Sequence, residues 1–425
     1  MTWVWLLSTL LLLLALAGAA WDLVRARQLD LFAPHVAFPL TFALLYGGGG
    51  LWWAHVREPA PVLPLYPYYF AGLLAFFGGV LALAIPAGWA GGARHPLIGW
   101  IPRRLALATA VLFALSAAVT IWIVARTGIP ILRSDAETAR TLILPQVGGY
   151  AYYLARTIAL PALLAIVYLF LHFRRLSGLA WLFWPAVAGL GLLALAASGY
   201  RNGLILVLLT ALVAYSYLVR RVAAWQAALL ISALLILVAA YGLFRARGAI
   251  AWDLAGVGRQ LFSEMAVVPS NFATILDNFP SQIDFFHGRG LLLNFLALAP
   301  GKQPVLGPLL KEQLGLDYAG GGFSPSILGS FYLEFGWAAL IAGMFLCGLL
   351  LAFLYRRLRQ RPAEYPTLFY SFVLVYSLIT IRTGLLKDIF AVWFLVVLSL
   401  VHLYCRKEPR LALAPWLARR KRSDS

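Results

Sequence analysis

The run AWQAALLISALLILVAAYGL (residues 224–243) passes directly into FRARGAIAWDLAGVGRQLFSEM (residues 244–265), and the change of texture between them decides the fold. The first stretch is uncharged and has the roughly 20 residues that a helix needs to cross a bilayer. The second opens Phe244 to Pro325, the one long interval without such a run. That interval holds six basic side chains (Arg245, Arg247, Arg259, Arg289, Lys302, Lys311) and six acidic ones (Asp253, Glu264, Asp277, Asp284, Glu312, Asp317), with His287 among them. Val267, Val268, Phe272, Ile275, Leu276 and Phe279 recur there at helical spacing. The interval reads as a charged, helix-patterned loop between two sets of spans, and the spacing predicts short helices over an outer-facing cavity.

On either side, apolar runs follow one another closely. They read as about eleven spans: 3–20, 35–54, 67–86, 105–125, 149–172, 179–197, 203–218, 224–243, 336–355, 366–382 and 387–404. The seventh is the shortest, and residues 324–335 lead into the ninth along the interface. The chain is 62% hydrophobic and 12% charged, with a mean hydropathy of +0.85. The expected fold is therefore an all-α polytopic membrane protein. Its parts are an N-terminal bundle (1–243), the loop (244–325), and C-terminal helices with a basic tail (326–425). No basic residue precedes the first apolar run, so it reads as a retained helix and not a cleaved signal.

A net charge of +18 suits nucleic acid, but its distribution excludes that reading. The basic residues form short clusters between spans, as the positive-inside rule requires. One set of alternate connections and the C-terminal tail carry 20 basic and 5 acidic residues; everything else carries 14 and 11. Alternation then places the N-terminus outside, the tail in the cytoplasm and the large loop on the outer face. Two cysteines, Cys347 and Cys405, both in apolar runs, provide no disulfide framework for the loop.

On the outer face lie Arg133 and Arg140 after the fourth span, Arg156 two turns into the fifth, and Arg201 in the tight connection Ser198-Gly-Tyr-Arg-Asn-Gly203. Arg382 ends the tenth span. Arginine at membrane depth is costly unless it meets an anion or lines a polar cavity. Its planar fork suits phosphate, although Arg201 serves equally as a snorkelling anchor. Gly320-Gly-Gly-Phe-Ser-Pro-Ser-Ile reads as a turn entering a helix, with Ser324 as N-cap and Pro325 at the first helical position. Glu334 follows, an acid where the chain approaches the bilayer. Metal clusters, nucleophile elbows and phosphate-binding loops are absent from the sequence.

Three stretches together carry a resemblance: Gly128-Ile-Pro-Ile-Leu-Arg-Ser-Asp135, Ser198 to Gly203, and Gly322-Phe-Ser-Pro-Ser-Ile-Leu-Gly-Ser-Phe-Tyr-Leu-Glu-Phe-Gly-Trp337. With the layout of spans and one dominant loop, the chain resembles the bacterial oligosaccharide repeat-unit polymerases, the Wzy group of O-antigen polymerases. The resemblance implies a metal-independent, cofactor-free glycosyltransferase of GT-C-like architecture in the bacterial inner membrane. It would join undecaprenyl-diphosphate-linked oligosaccharides at the periplasmic face, within membrane lipid, in company with a flippase and a chain-length regulator. Carried over residue by residue, it marks Arg201, Arg133 and Arg140 as anion-binding and Glu334 as the motif acid. An odd span count departs from layouts with both ends cytoplasmic.

Such a reaction needs cations for a departing diphosphate and a carboxylate to take a hydroxyl proton. Candidate bases are Glu264, Asp253 and Glu334. Candidate diphosphate ligands are Arg201, Arg140, Arg133, Arg156, Arg259, Arg289 and Arg382. Trp252, Phe285, Phe286, Phe323 and Tyr332 are candidates for stacking on sugars. One alternative, an O-antigen ligase, shares the layout, though the loop offers it only His287; a second, a transporter or flippase of lipid-linked sugars, would show repeated halves, and the sequence shows no repeat. A non-catalytic scaffold accounts poorly for the outer arginines.

Overall fold

The computed structural model describes residues 1–26, 29–56, 60–83, 99–132, 143, 147–198, 201–246, 254–296, 306–318, 322–360, 362–385 and 389–407. Every regular element among them is helical, apart from an isolated bridge between Trp100 and Arg406. In chain order they are α1 (Thr2–Ala26), α2 (Pro34–Phe42), α3 (Gly49–Val56), α4 (Tyr66–Ala82), α5 (Pro102–Thr127) and α6 (Gly149–Arg156). There follow α7 (Ala159–His172), α8 (Leu179–Ala197), α9 (Arg201–Leu218), α10 (Ala224–Ala246), α11 (Leu254–Asn278) and α12 (Arg289–Leu296). The last five are α13 (Leu306–Gln313), α14 (Ser326–Phe335), α15 (Trp337–Gln360), α16 (Glu364–Thr383) and α17 (Phe390–Cys405).

Among the described residues eight stretches are long and apolar enough to span a bilayer, and shorter apolar helices occupy the seventh, eighth and eleventh expected positions. The protein is thus an all-α polytopic membrane protein. Its second span is not one regular helix, because α2 runs through a π turn at Ala43–Gly48 into α3. Its fifth is interrupted between α6 and α7, at Thr157 and Ile158.

Side-chain bonds gather the basic connections at one end of the bundle. Asp30 accepts hydrogen bonds from Tyr217 (3.0 Å) and Tyr355 (2.5 Å), while Tyr370 donates to the carbonyl of Phe32. His35 bonds Asp22 at 2.8 Å. Glu364 accepts the amide of Gly99, and Trp100 donates to His402. The ends of α1, α9 and α15 therefore meet the starts of α2, α5 and α16, as alternation of spans demands.

The interval expected to hold short helices contributes two of eight residues, α12 and α13, but also α11, of 25 residues, packed along α3 and the π turn. Pro269 lies inside α11 and has no N–H, which releases the carbonyl of Met265 one turn earlier. That carbonyl lies against Gly49, where any Cβ would collide with its oxygen. The glycine run in the second span is thus the seat of α11.

Helix α14 is buried from Ser326 to Glu334, and only its last residue, Phe335, is exposed. It is a separate element that ends at Gly336, where an interfacial approach to the ninth span was expected. A helix enclosed on every side inside a membrane protein is held by packing against other helices, not by escape from water. The cap also differs from the sequence reading. Ser326, with φ 63°, takes the capping role in place of Ser324, and its Oγ accepts the amide of Gly329 at 3.4 Å.

Candidate active site

At the end opposite the basic connections, three helices converge on one ion pair. Glu264 lies on the face of α11 that also carries Asn271 and Ile275, at helical spacing. Asn271 Nδ2 donates to the carbonyl of Ser324 at 2.8 Å, and Ile275 packs on Gly329 of α14. Arg382 sits in the last turn of α16. The chain then turns at Gly384 (φ 91°), where a Cβ would stand 2.6 Å from Ser330 Oγ. That same Oγ accepts the amide of Leu385 at 3.0 Å. With α16 locked onto α14 in this way, the Arg382 guanidinium donates to Glu264 Oε2, and Gln260 donates to Oε1 at 3.2 Å.

Glu264 is only partly covered, its side chain 24% exposed. A partly exposed carboxylate is open to the approach of a hydroxyl, which it can accept as a hydrogen-bond donor.

Glu334 is placed differently. Its residue is 2% exposed, and its two oxygens accept the amides of Gly288 (2.7 Å) and Leu291 (2.8 Å) at the start of α12. The amides of Phe286 and His287 donate in turn to the carbonyls of Leu333 and Glu334 at the end of α14. Orphan amides of one helix and orphan carbonyls of another are satisfied in a single joint. Burial raises the Glu334 carboxyl above the usual carboxylate value, while the amides of Gly288, Leu291 and Gly290 pull it down.

Arg156 lies at the interruption between α6 and α7. It donates to the Tyr152 hydroxyl at 3.3 Å and stands 4.8 Å above the ring of Phe390, at the start of α17. Next to it Thr157 accepts the indole N–H of Trp393 at 2.8 Å. The guanidinium is therefore held inside the bundle by aromatic and polar partners.

Residues 100–395 match the family described as "Putative O-antigen polymerase", more than half of the chain. The chain belongs to the O-antigen polymerase family. Membership makes it a glycosyltransferase-like repeat-unit polymerase acting on lipid-linked oligosaccharide in a membrane. No curated protein and no solved structure matches it.

In this polymerase the matched region contains Glu264, Glu334, Arg156 and Arg382. Of the residues expected at the site, the structure brings Glu264 and Arg382 into contact. Arg259 is exposed, five residues before Glu264 and so roughly 140° around the same helix. Arg289 is exposed at the first turn of α12. Arg201 opens α9, but its side chain lies outside the described residues, as do Asp253, Arg133, Arg140 and Trp252 entirely. Phe323 and Tyr332 are buried, and Phe285 and Phe286 pack against the core, so these aromatics belong to the scaffold. Sequence reasoning missed Gln260, whose spacing of four from Glu264 was the available signal. It also missed Ser330, which nothing in the sequence links to Leu385. Among the described residues no group of His, Cys, Asp and Glu is placed to hold a metal ion.

Proposed function

We propose that the polymerase transfers a growing glycan from undecaprenyl diphosphate to an incoming lipid-linked repeat unit, with Glu264 as the base. The acceptor sugar hydroxyl gives its proton to Glu264 and attacks the anomeric carbon of the growing chain. The bond from that carbon to the diphosphate oxygen breaks, and the lipid diphosphate leaves with the electron pair. Arg382, Arg156 and Arg201 meet the charge that develops on it, which asks for no metal ion. Glu334 acts as a positioning residue that ties α12 to α14.

One observation carries the assignment. Of the two described candidate bases, Glu264 alone is partly exposed, whereas Glu334 is buried with its oxygens on backbone amides. The clustering of basic connections at the far end supports placing this site on the periplasmic face of a bacterial inner membrane. The test is Glu264→Gln in cells lacking the native gene, scored by glycan chain-length profile and by the amount of protein in the membrane. Loss of polymer at a normal protein level is expected. A normal ladder overturns the role of Glu264.

A further inference from the structure

Helix α11 has a second face, turned away from Arg382. Ser263, Ala266, Ser270, Thr274 and Asp277 recur along it at intervals of three and four and form one wall of a groove. Trp52, Trp53, Val56 and Pro61 form the other wall. The enclosed volume is about 440 Å³, within the range of roughly 300–1,000 Å³ typical of ligand sites. From Ser263 to Asp277 the groove follows about 21 Å of helix, a shape suited to an extended ligand.

The side-chain polar atoms on the α11 wall are acceptors. Ser263, Ser270 and Thr274 each donate to a carbonyl of their own helix, those of Gln260 (2.9 Å), Val267 (3.2 Å) and Ser270 (3.0 Å). Their oxygens are thereby left with free lone pairs, and Asp277 adds an exposed carboxylate. Among the described residues the lining holds no Lys, Arg or His. An acyl chain would have no use for the row of acceptors. A neutral, hydroxyl-rich chain fits both walls, giving O–H donors to α11 and the C–H faces of its rings to the indoles. Trp52 is held in place by stacking on Phe262, with ring centroids 4.9 Å apart.

We propose that this groove binds the oligosaccharide portion of the substrate, beyond its lipid diphosphate. The inference rests on the polymerase reading and extends it, since the groove begins at Ser263, the neighbour of Glu264. Its tryptophan wall precedes the residues matched to the family, so this contact with the glycan would belong to this chain.

The test uses the full chain in lipid nanodiscs, titrated with oligosaccharides of one and of several repeat units cut from the cell's own surface polysaccharide. Binding is followed by tryptophan fluorescence and by calorimetry. Longer oligosaccharides should bind more tightly. Trp53→Ala should weaken binding about tenfold, the loss of an aromatic anchor. Asp277→Asn, at an exposed position that the fold does not need, should weaken it several-fold. Glu264→Gln should bind as the parent does. Parent-like binding by both Trp53→Ala and Asp277→Asn overturns the groove, whatever Glu264 does. A Glu264→Gln variant that still polymerises, alongside weakened binding by the groove variants, removes the catalytic assignment and leaves the groove standing.

Discussion

Glu264 of α11 and Arg382 of α16, 118 residues apart in sequence, meet through a guanidinium-to-carboxylate hydrogen bond at the end of the bundle away from the basic connections. Arg382 therefore has two tasks in the proposed reaction, orienting the base and meeting the leaving diphosphate. Arg382→Ala should lower polymer formation by about 10²–10⁴, the range for losing a proton-transfer group or its support. The double variant Glu264→Gln/Arg382→Ala should be no worse than either single one, because the two residues act as a unit. Additive losses, measured as initial rates on lipid-linked substrate, would separate them.

Arg201 opens α9 beside the tight connection 198–203. If it binds the leaving diphosphate, Arg201→Ala abolishes polymer and Arg201→Lys restores little, since an ammonium keeps the charge but loses the bidentate fork. The measurement is the chain-length profile with the membrane protein level alongside. Efficient function of the lysine variant would instead make Arg201 an anchor.

Gly49→Ala should loosen the seat of α11, because the added Cβ collides with the Met265 carbonyl. Overpacking of this kind costs about 1–3 kcal/mol. Thermal unfolding in detergent should show a lower midpoint. Pro269→Ala, which restores an N–H to bond Met265 within α11, should change the effect of Gly49→Ala and not simply add to it.

Glu334 sets a pH dependence. Its carboxyl is raised above the ordinary value of 4.5, chiefly by burial. The stability it contributes is present in full below about 4.5 and is lost as pH rises through the raised value. The stability advantage of the parent over Glu334→Gln should therefore be largest in acid and shrink toward neutral pH. Unfolding midpoints of the two proteins across that range give the measurement, and an advantage that grows with pH would contradict the burial argument.

The spans were legible because membrane crossing is written in length and apolarity, which need no knowledge of partners. Their alternation was legible from arginines at the basic end. What a helix touches was not. Val267, Val268 and Phe272 announced that α11 is a helix, and the run Gly47–Gly50 allowed close helix packing, yet nothing paired the two, since the released carbonyl of Met265 belongs to the backbone. Glu334 read as a chemical group because an acid near a bilayer is expensive. Its actual partners are the amides of Gly288 and Leu291, which leave no trace in side-chain pattern. The groove escaped notice because Trp52 and Trp53 lie in an apolar run some 200 residues from the wall they face.

The buried carboxylate of Asp30 makes the two ends of the bundle mechanically unequal. Two tyrosines from α9 and α15 grip it, and removing one such partner leaves a buried acceptor position unfilled at a cost of about 1–3 kcal/mol. The basic end is consequently riveted. At the other end α16 is fastened to α11 by the partly exposed Glu264–Arg382 contact and to α14 through Ser330. The seam beside Glu264 is therefore open to its surroundings where the one around Asp30 is closed.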